Sequence, residues 1–141
     1  MIDAEKYFLK IADTVAEQST CLDKRVGCVI VSQDNQIISY GYNGAPSKIH
    51  DCRAKQFCRK SIGQLCLATH AEINALIQAG KRAKGGKLFV TLEPCFECAK
   101  AIINAGIKEV WFNRPNEKDA NYKGQVRALL YAARITYTYL N

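Results

Sequence analysis

Two short strings hold the side chains best suited to chemistry: His70-Ala71-Glu72, and Pro94-Cys95-Phe96-Glu97-Cys98. One imidazole and two thiolates (His70, Cys95, Cys98) make a three-ligand zinc set, which leaves the fourth position of a tetrahedral ion open. Structural zinc sites usually close that position. Catalytic sites keep it for water, whose pKa the ion brings down to about 7. Glu72, two residues past the imidazole, is placed to carry protons without binding the metal itself. Taken singly, Cys-x-x-Cys could be a redox pair or half of a zinc knuckle, and one histidine on an amphipathic helix is usually a surface or core residue. Both strings in this order, each at an expected helix start, are hard to obtain by chance.

The elements that must position them are legible in the hydrophobic pattern. Phe8, Ile11, Ala12 and Val15 fall on one face of a helix over residues 3–18. The β-branched run Val26 to Val31 reads as a buried strand. Asp34-Asn35-Gln36 then turns the chain, and Gln36 to Gly41 returns as the second strand of a hairpin. A helix is expected from about His70 to Gln78, closed by Gly80, and a strand from Lys87 to Leu92. Pro94 is expected in the first turn of the next helix, which continues from Cys95 to Ala105 and ends at Gly106. That helix start favours the thiolate forms of Cys95 and Cys98 through its unpaired N–H groups and dipole. A strand over Glu109 to Phe112, a helix over residues 123–133 and a strand over Ile135 to Leu140 complete the order. Repeated strand–helix–strand units predict one α/β domain with parallel pairs, right-handed crossovers and helices on both faces. His70 and Cys95, 25 positions apart, leave room for one crossover between neighbouring strands.

Composition narrows the classes. A chain of 141 residues, 48% hydrophobic and 23% charged, has the make-up of one soluble globular domain. No run is long enough to span a bilayer, and charges interrupt the first residues too often for a signal peptide, so the expected compartment is the reducing cytoplasm. There, seven cysteines are metal ligands or reactive thiols rather than disulfides. A net charge of +7 points to an anionic partner, either a phosphorylated small molecule or a nucleic acid. Against nucleic acid, there is no extra basic arm and the aromatics do not cluster as stacking platforms. From Tyr42 to Thr69 no periodicity is visible, and an ordered loop of that length is uncommon unless it is functional.

His-x-Glu followed by Pro-Cys-x-x-Cys resembles the motif pair of zinc deaminases acting on nucleobases. Further pieces extend it: Ser19-Thr20-Cys21, Arg25-Val26-Gly27, Gly41-Tyr42-Asn43-Gly44-Ala45-Pro46, His70 through Ala75, and Thr91-Leu92-Glu93-Pro94-Cys95 through Ala105-Gly106-Ile107. With these, the chain resembles the deoxycytidylate (dCMP) deaminase family from about Ala4 to Val110. The resemblance implies a cytidine-deaminase-like αβα sandwich, here with a five-stranded mixed sheet. It implies conversion of dCMP to dUMP and ammonia, which supplies dUMP for dTMP synthesis in pyrimidine deoxynucleotide metabolism. It also implies a homo-oligomer (hexamer or dimer), activated by dCTP and inhibited by dTTP. Carried onto this chain, Asn43 touches the sugar or base, Arg25 and Lys24 lie near the 5′-phosphate, and Ala71, Asn74 and Tyr122 are further substrate-binding positions. Solvated surface charge is the alternative for Lys24 and Arg25. Another substrate, such as dCTP, a free nucleoside or base, or nucleic acid, is the alternative for the activity.

The chain departs from the family pattern at three places. Glu93 stands where a small or aromatic residue is usual, and Lys48 where a glycine is usual. Asn113-Arg114-Pro115-Asn116 replaces the usual Asp-Lys-Tyr, which leaves Tyr122 as the substitute for a substrate-facing tyrosine.

Five cysteines remain after Cys95 and Cys98. Cys28, inside the first strand, reads as a small core residue. Some members of the resembled family carry a second, structural zinc, and Cys21 and Cys52 match cysteines that bind it. A closed site of Cys21, Cys52, Cys58 and Cys66, with His50 able to replace one thiolate, would staple the 42–69 loop; free thiols are the alternative. A non-catalytic, zinc-stabilised binding module is the competing class. Glu72 argues against it, since a structural ion has no use for a proton carrier.

Overall fold

The computed structural model describes residues 1–141. Its centre is Gly27–Val31 (β1), a strand buried along its whole length because both faces are covered. Cys28 and Ile30 face one helical layer, and Val29 and Val31 face the other. Ile37–Tyr42 (β2) pairs antiparallel with β1 as the expected hairpin. Lys87–Val90 (β3) pairs antiparallel with the other edge of β1. Glu109–Phe112 (β4) and Thr136–Tyr139 (β5) then add in parallel, giving a five-stranded mixed sheet in the order β2-β1-β3-β4-β5.

Helix Ala4–Ala16 (α1) covers one face, packing Phe8, Leu9 and Ala12 on Val29, Val31 and Phe89. Helices Ala71–Ala79 (α3), Phe96–Asn104 (α4) and Ala120–Ala132 (α5) cover the other, with Ala71, Ala75, Ile102, Val126 and Leu130 in one cluster. Between β2 and α3 runs the long loop, which holds only the four-residue helix Cys52–Lys55 (α2) and a 3₁₀ turn Arg59–Ile62, neither with a buried residue. No helix is long and apolar enough to cross a membrane.

The three-layer αβα sandwich is thus as expected, but the connections and some boundaries differ. The crossover through α3 joins β2 to β3, which are not neighbours, because β1 lies between them. Pro94 stands before Cys95, the N-cap of α4, and so outside the first turn. Helix α5 starts at Ala120 rather than 123, because the Asp119 side chain caps it by accepting the Tyr122 N–H at 2.8 Å.

Two glycines let helices lie directly on strands. A Cβ at Gly27 would sit 2.1 Å from the Ala12 carbonyl oxygen, and one at Gly41 would sit 2.5 Å from the Ala71 oxygen and the Ala75 nitrogen. The second contact sets the height of α3, and with it His70 and Glu72, over the sheet. Gly41→Ala is therefore expected to push α3 away, lowering stability by about 1–3 kcal/mol and weakening zinc retention, as read by chemical denaturation and metal content.

Candidate active site

Both motif strings begin helices on the same face of the sheet. His70 is the N-cap of α3, in extended conformation, and Cys95 is the N-cap of α4. The residue before His70 is held by a short antiparallel bridge: Gly44 and Thr69 exchange N–H···O bonds of 3.2 and 2.7 Å. Asn74 braces the same corner, donating from Nδ2 to the Tyr42 carbonyl at 2.9 Å. On the other side, the Thr91 hydroxyl accepts the Gly27 N–H at 3.1 Å, tying the end of β3 to β1 ahead of Cys95.

This scaffold gathers His70, Cys95 and Cys98, whose ligand atoms all lie within 4.8 Å of one another. His70 Nδ1 is 3.3 Å from Cys98 Sγ and 3.5 Å from Cys95 Sγ. Zinc bonds of about 2.1 Å to nitrogen and about 2.3 Å to sulfur put tetrahedral donors roughly 3.5–3.8 Å apart, so the set fits that ion. Cys95 is the more acidic thiol, held down at about 4 chiefly by the hydrogen bond from the Cys98 thiol and helped by His70. Cys98 is pushed up, first by donating that bond and then by burial. The hydrogen bond with Cys95 raises His70 against the opposing effect of burial. Glu72, 4% exposed, is lifted by burial to about 7. Beneath them, burial holds the Cys28 thiol well above its ordinary value, and the nearby Glu72 charge adds to this. Cys28 is the core residue expected.

A cavity of about 300 Å³ opens onto Glu72, His70 and Cys95. Of the expected contact residues, Lys24, Asn43 and Ala71 line it. Asn43, though, spends most of its amide on the protein. Its Oδ1 accepts from the Ser19 hydroxyl (2.6 Å) and the Val26 N–H (2.9 Å), and its Nδ2 donates to the Lys24 carbonyl (2.8 Å). Arg25 lies outside this cavity, with Arg114, in an adjoining cleft that shares Lys24 and Asn116 with it. Two further expected contacts, besides Arg25, are not brought to the cavity. Asn74 faces the groove between β2 and α3, because its amide is spent bracing that corner. Tyr122 accepts the Phe96 N–H at 2.9 Å through its hydroxyl, so it steadies the first turn of α4 instead.

Two lysines not anticipated from the sequence also line the cavity, Lys60 and Lys118. Lys118 follows β4, where the rule that ligands bind beyond the carboxyl ends of strands could have found it. Lys60 comes from the aperiodic loop and pairs with Asp23; that hydrogen bond lowers the Asp23 carboxyl and raises the Lys60 ammonium. No local pattern signals that pairing.

Cys21, Cys52, Cys58 and Cys66 line one small cavity of about 20 Å³ together with His50. No three of their ligand atoms come within 4.8 Å of one another, unlike the His70 set. Cys21 Sγ accepts two backbone bonds, from the Asp23 and Lys24 N–H groups, each at 3.4 Å.

Residues 2–114 match the family model of the cytidine and deoxycytidylate deaminase zinc-binding region. The deoxycytidylate deaminase of Schizosaccharomyces pombe is 34% identical over 134 residues, which is 88% of this chain and 41% of that protein. The deoxycytidylate deaminase of Homo sapiens is 34% identical over 139 residues, 94% of this chain and 76% of that protein. The crystal structure of the dCMP deaminase from cyanophage S-TIM5, in complex with dCMP and dUMP, superposes with a TM-score of 0.80 at 26% identity over 96% of both chains. The chain therefore spans about two-fifths of the length of its fission-yeast relative.

Proposed function

Because the chain belongs to the cytidine and deoxycytidylate deaminase family, we propose that it hydrolyses dCMP to dUMP and ammonia. The observation that carries this is the buried Glu72 carboxylate beside a three-donor metal set, at the floor of a cavity whose rim is cationic. His70, Cys95 and Cys98 would hold a zinc ion, which when bound would supply Lewis acidity to activate water. Glu72 accepts a proton from the attacking water and delivers it to the ring nitrogen. It then takes the proton of the newly added hydroxyl and passes it to the amine, which departs as ammonia as the carbon–nitrogen bond breaks and the hydroxyl oxygen becomes the product carbonyl. Closure by protein leaves the carboxylate little to exchange protons with except what enters the cavity. At the rim, Lys24 and Lys118 are the ammonium groups available to a 5′-phosphate, and Arg25 and Arg114 stand in the adjoining cleft.

The wider reading follows the resemblance: one deaminase domain, a role in pyrimidine deoxynucleotide metabolism, a hexamer or dimer, and control by dCTP and dTTP. Seven unpaired cysteines support the cytoplasm as its compartment. The reading includes a second, closed zinc held by Cys21, Cys52, Cys58 and Cys66, with His50 as alternative ligand. Their shared cavity, the two N–H bonds onto Cys21 and the absence of buried side chains from both short helices of the loop support it. Freshly purified protein is then expected to hold two zinc ions per chain by elemental analysis, and Cys58→Ser with Cys66→Ser to hold one. One ion per chain in the fully loaded, unaltered protein would remove the second site.

The direct test is ammonia release from dCMP, dCTP, deoxycytidine and CMP offered separately, each with and without added dCTP or dTTP. Turnover confined to dCMP and raised by dCTP is expected. Zinc-loaded protein inactive on all four would shift the reading to another base or a polymer.

A further inference from the structure

Glu93 is an acid in a setting acids rarely occupy: its side chain is 4% exposed. It is fully partnered there. Oε1 accepts the Asn116 N–H at 3.1 Å and pairs with Lys123 Nζ at 3.2 Å, while Oε2 accepts the Tyr137 hydroxyl of β5 at 3.3 Å. The main chain reinforces the contact. The Glu93 N–H donates to the Arg114 carbonyl at 2.8 Å, and Asn116 Nδ2 donates to the Glu93 carbonyl at 3.2 Å.

Three of these bonds, those with Arg114 and Asn116, fall on the 113–119 segment between β4 and α5, which has no helix or strand of its own, while Lys123 and Tyr137 hold the carboxylate from α5 and β5. Asn116 passes the constraint along the segment, its Oδ1 accepting the Lys118 N–H at 3.0 Å. Lys123 closes the circuit by donating to the Asn116 carbonyl at 2.8 Å. Asn116 and Lys118 are also the members of this segment that line the cavity over Glu72, and the Lys118 ammonium lies 5.4 Å above the Tyr122 ring. A loop this exposed has little apolar burial to order it, so a buried, paired carboxylate is its anchor.

We infer that Glu93 is a positioning residue: it fixes the 113–119 loop so that Lys118 meets the anionic end of the substrate at the rim of the cavity. Through that loop Glu93 sets the preference for a 5′-nucleotide over the free nucleoside. The inference rests on the deaminase reading above and extends it to substrate choice.

The test compares Glu93→Gln, Glu93→Ala, Lys118→Ala and the Glu93→Ala/Lys118→Ala pair, with dCMP and deoxycytidine as substrates. Glutamine keeps the acceptor for Asn116 and loses the charge for Lys123, so it guards against a misfolded alanine variant. Each single variant is expected to raise KM for dCMP by about tenfold, to leave kcat within about threefold, and to leave KM for deoxycytidine unchanged. The pair is expected to be no worse than Glu93→Ala alone, because both act through one contact. A lowered melting temperature with KM for dCMP unmoved would make Glu93 merely structural and overturn the inference, as would strictly additive losses in the pair. Wild-type protein that deaminates neither substrate would fail the deaminase reading by itself. Calorimetric titration with dUMP then decides the positioning role: about tenfold weaker binding by Glu93→Gln supports it, and unchanged affinity ends it.

Discussion

Glu72→Gln is expected to lower kcat by about a thousandfold or more, in the range that a positioned acid–base group contributes, while zinc content and fold stay intact. Glu72 sits in the first turn of α3, 4% exposed, two residues beyond His70. An amide keeps its volume and an acceptor oxygen but cannot take up the proton that hydrolysis must move. Stability should hold or rise, because a neutral group replaces a carboxylate that burial disfavours. A binding module would lose nothing measurable, so the variant separates the two classes of function. Ammonia release, zinc content and thermal melting from one preparation make the comparison. Activity within tenfold of wild type would mean that another group carries the proton. The other carboxylates that line the cavity are already engaged, Glu93 by Lys123, Tyr137 and Asn116, and Asp23 by Lys60.

Cys98→Ser is the second large effect: turnover falls to background and the protein loses one zinc per chain. Cys98 is 1% exposed, and its sulfur lies 3.3 Å from His70 Nδ1. A serine hydroxyl is a far weaker zinc ligand than a thiolate, and two remaining donors do not retain the ion. Cys95 supplies the geometric half of the site, since its sulfur caps α4 by accepting the Cys98 N–H at 3.5 Å. Cys28→Ala is the control. Cys28 is buried in the core cluster with Ala71 and Ala99 and lies outside the donor set, so activity should persist with a stability loss on the order of 1 kcal/mol. Loss of zinc from Cys28→Ala as well would mean that the site depends on core packing rather than on its ligands.

The metal set was legible because its chemistry is local. His70 with Glu72, and Cys95 with Cys98, each lie within one turn of a helix start, where spacing alone dictates which side chains share an end. The strands were legible for a similar reason: β1 is apolar throughout because it is covered twice. The substrate wall was less so. Lys24 and Asn43 line the cavity as expected, but Asn74 and Tyr122 form bracing hydrogen bonds away from it, and Lys60 and Lys118 line it without having been expected. A polar side chain near a site faces inward or backward according to which carbonyl or N–H its neighbours leave unpaired. That pairing is made across 32 residues for Asn74 with Tyr42, and across 26 for Tyr122 with Phe96.

By itself the sequence determined the family, the α/β class and the three-donor set of His70, Cys95 and Cys98, because each is carried by residue type, motif spacing and short-range periodicity. Tertiary structure decided how the rim of the cavity is built. It placed β1 between β2 and β3, set α3 on Gly41, and ran the 113–119 loop over a buried Glu93. Those outcomes depend on burial and on hydrogen bonds between distant segments, and neither quantity exists until the chain has folded.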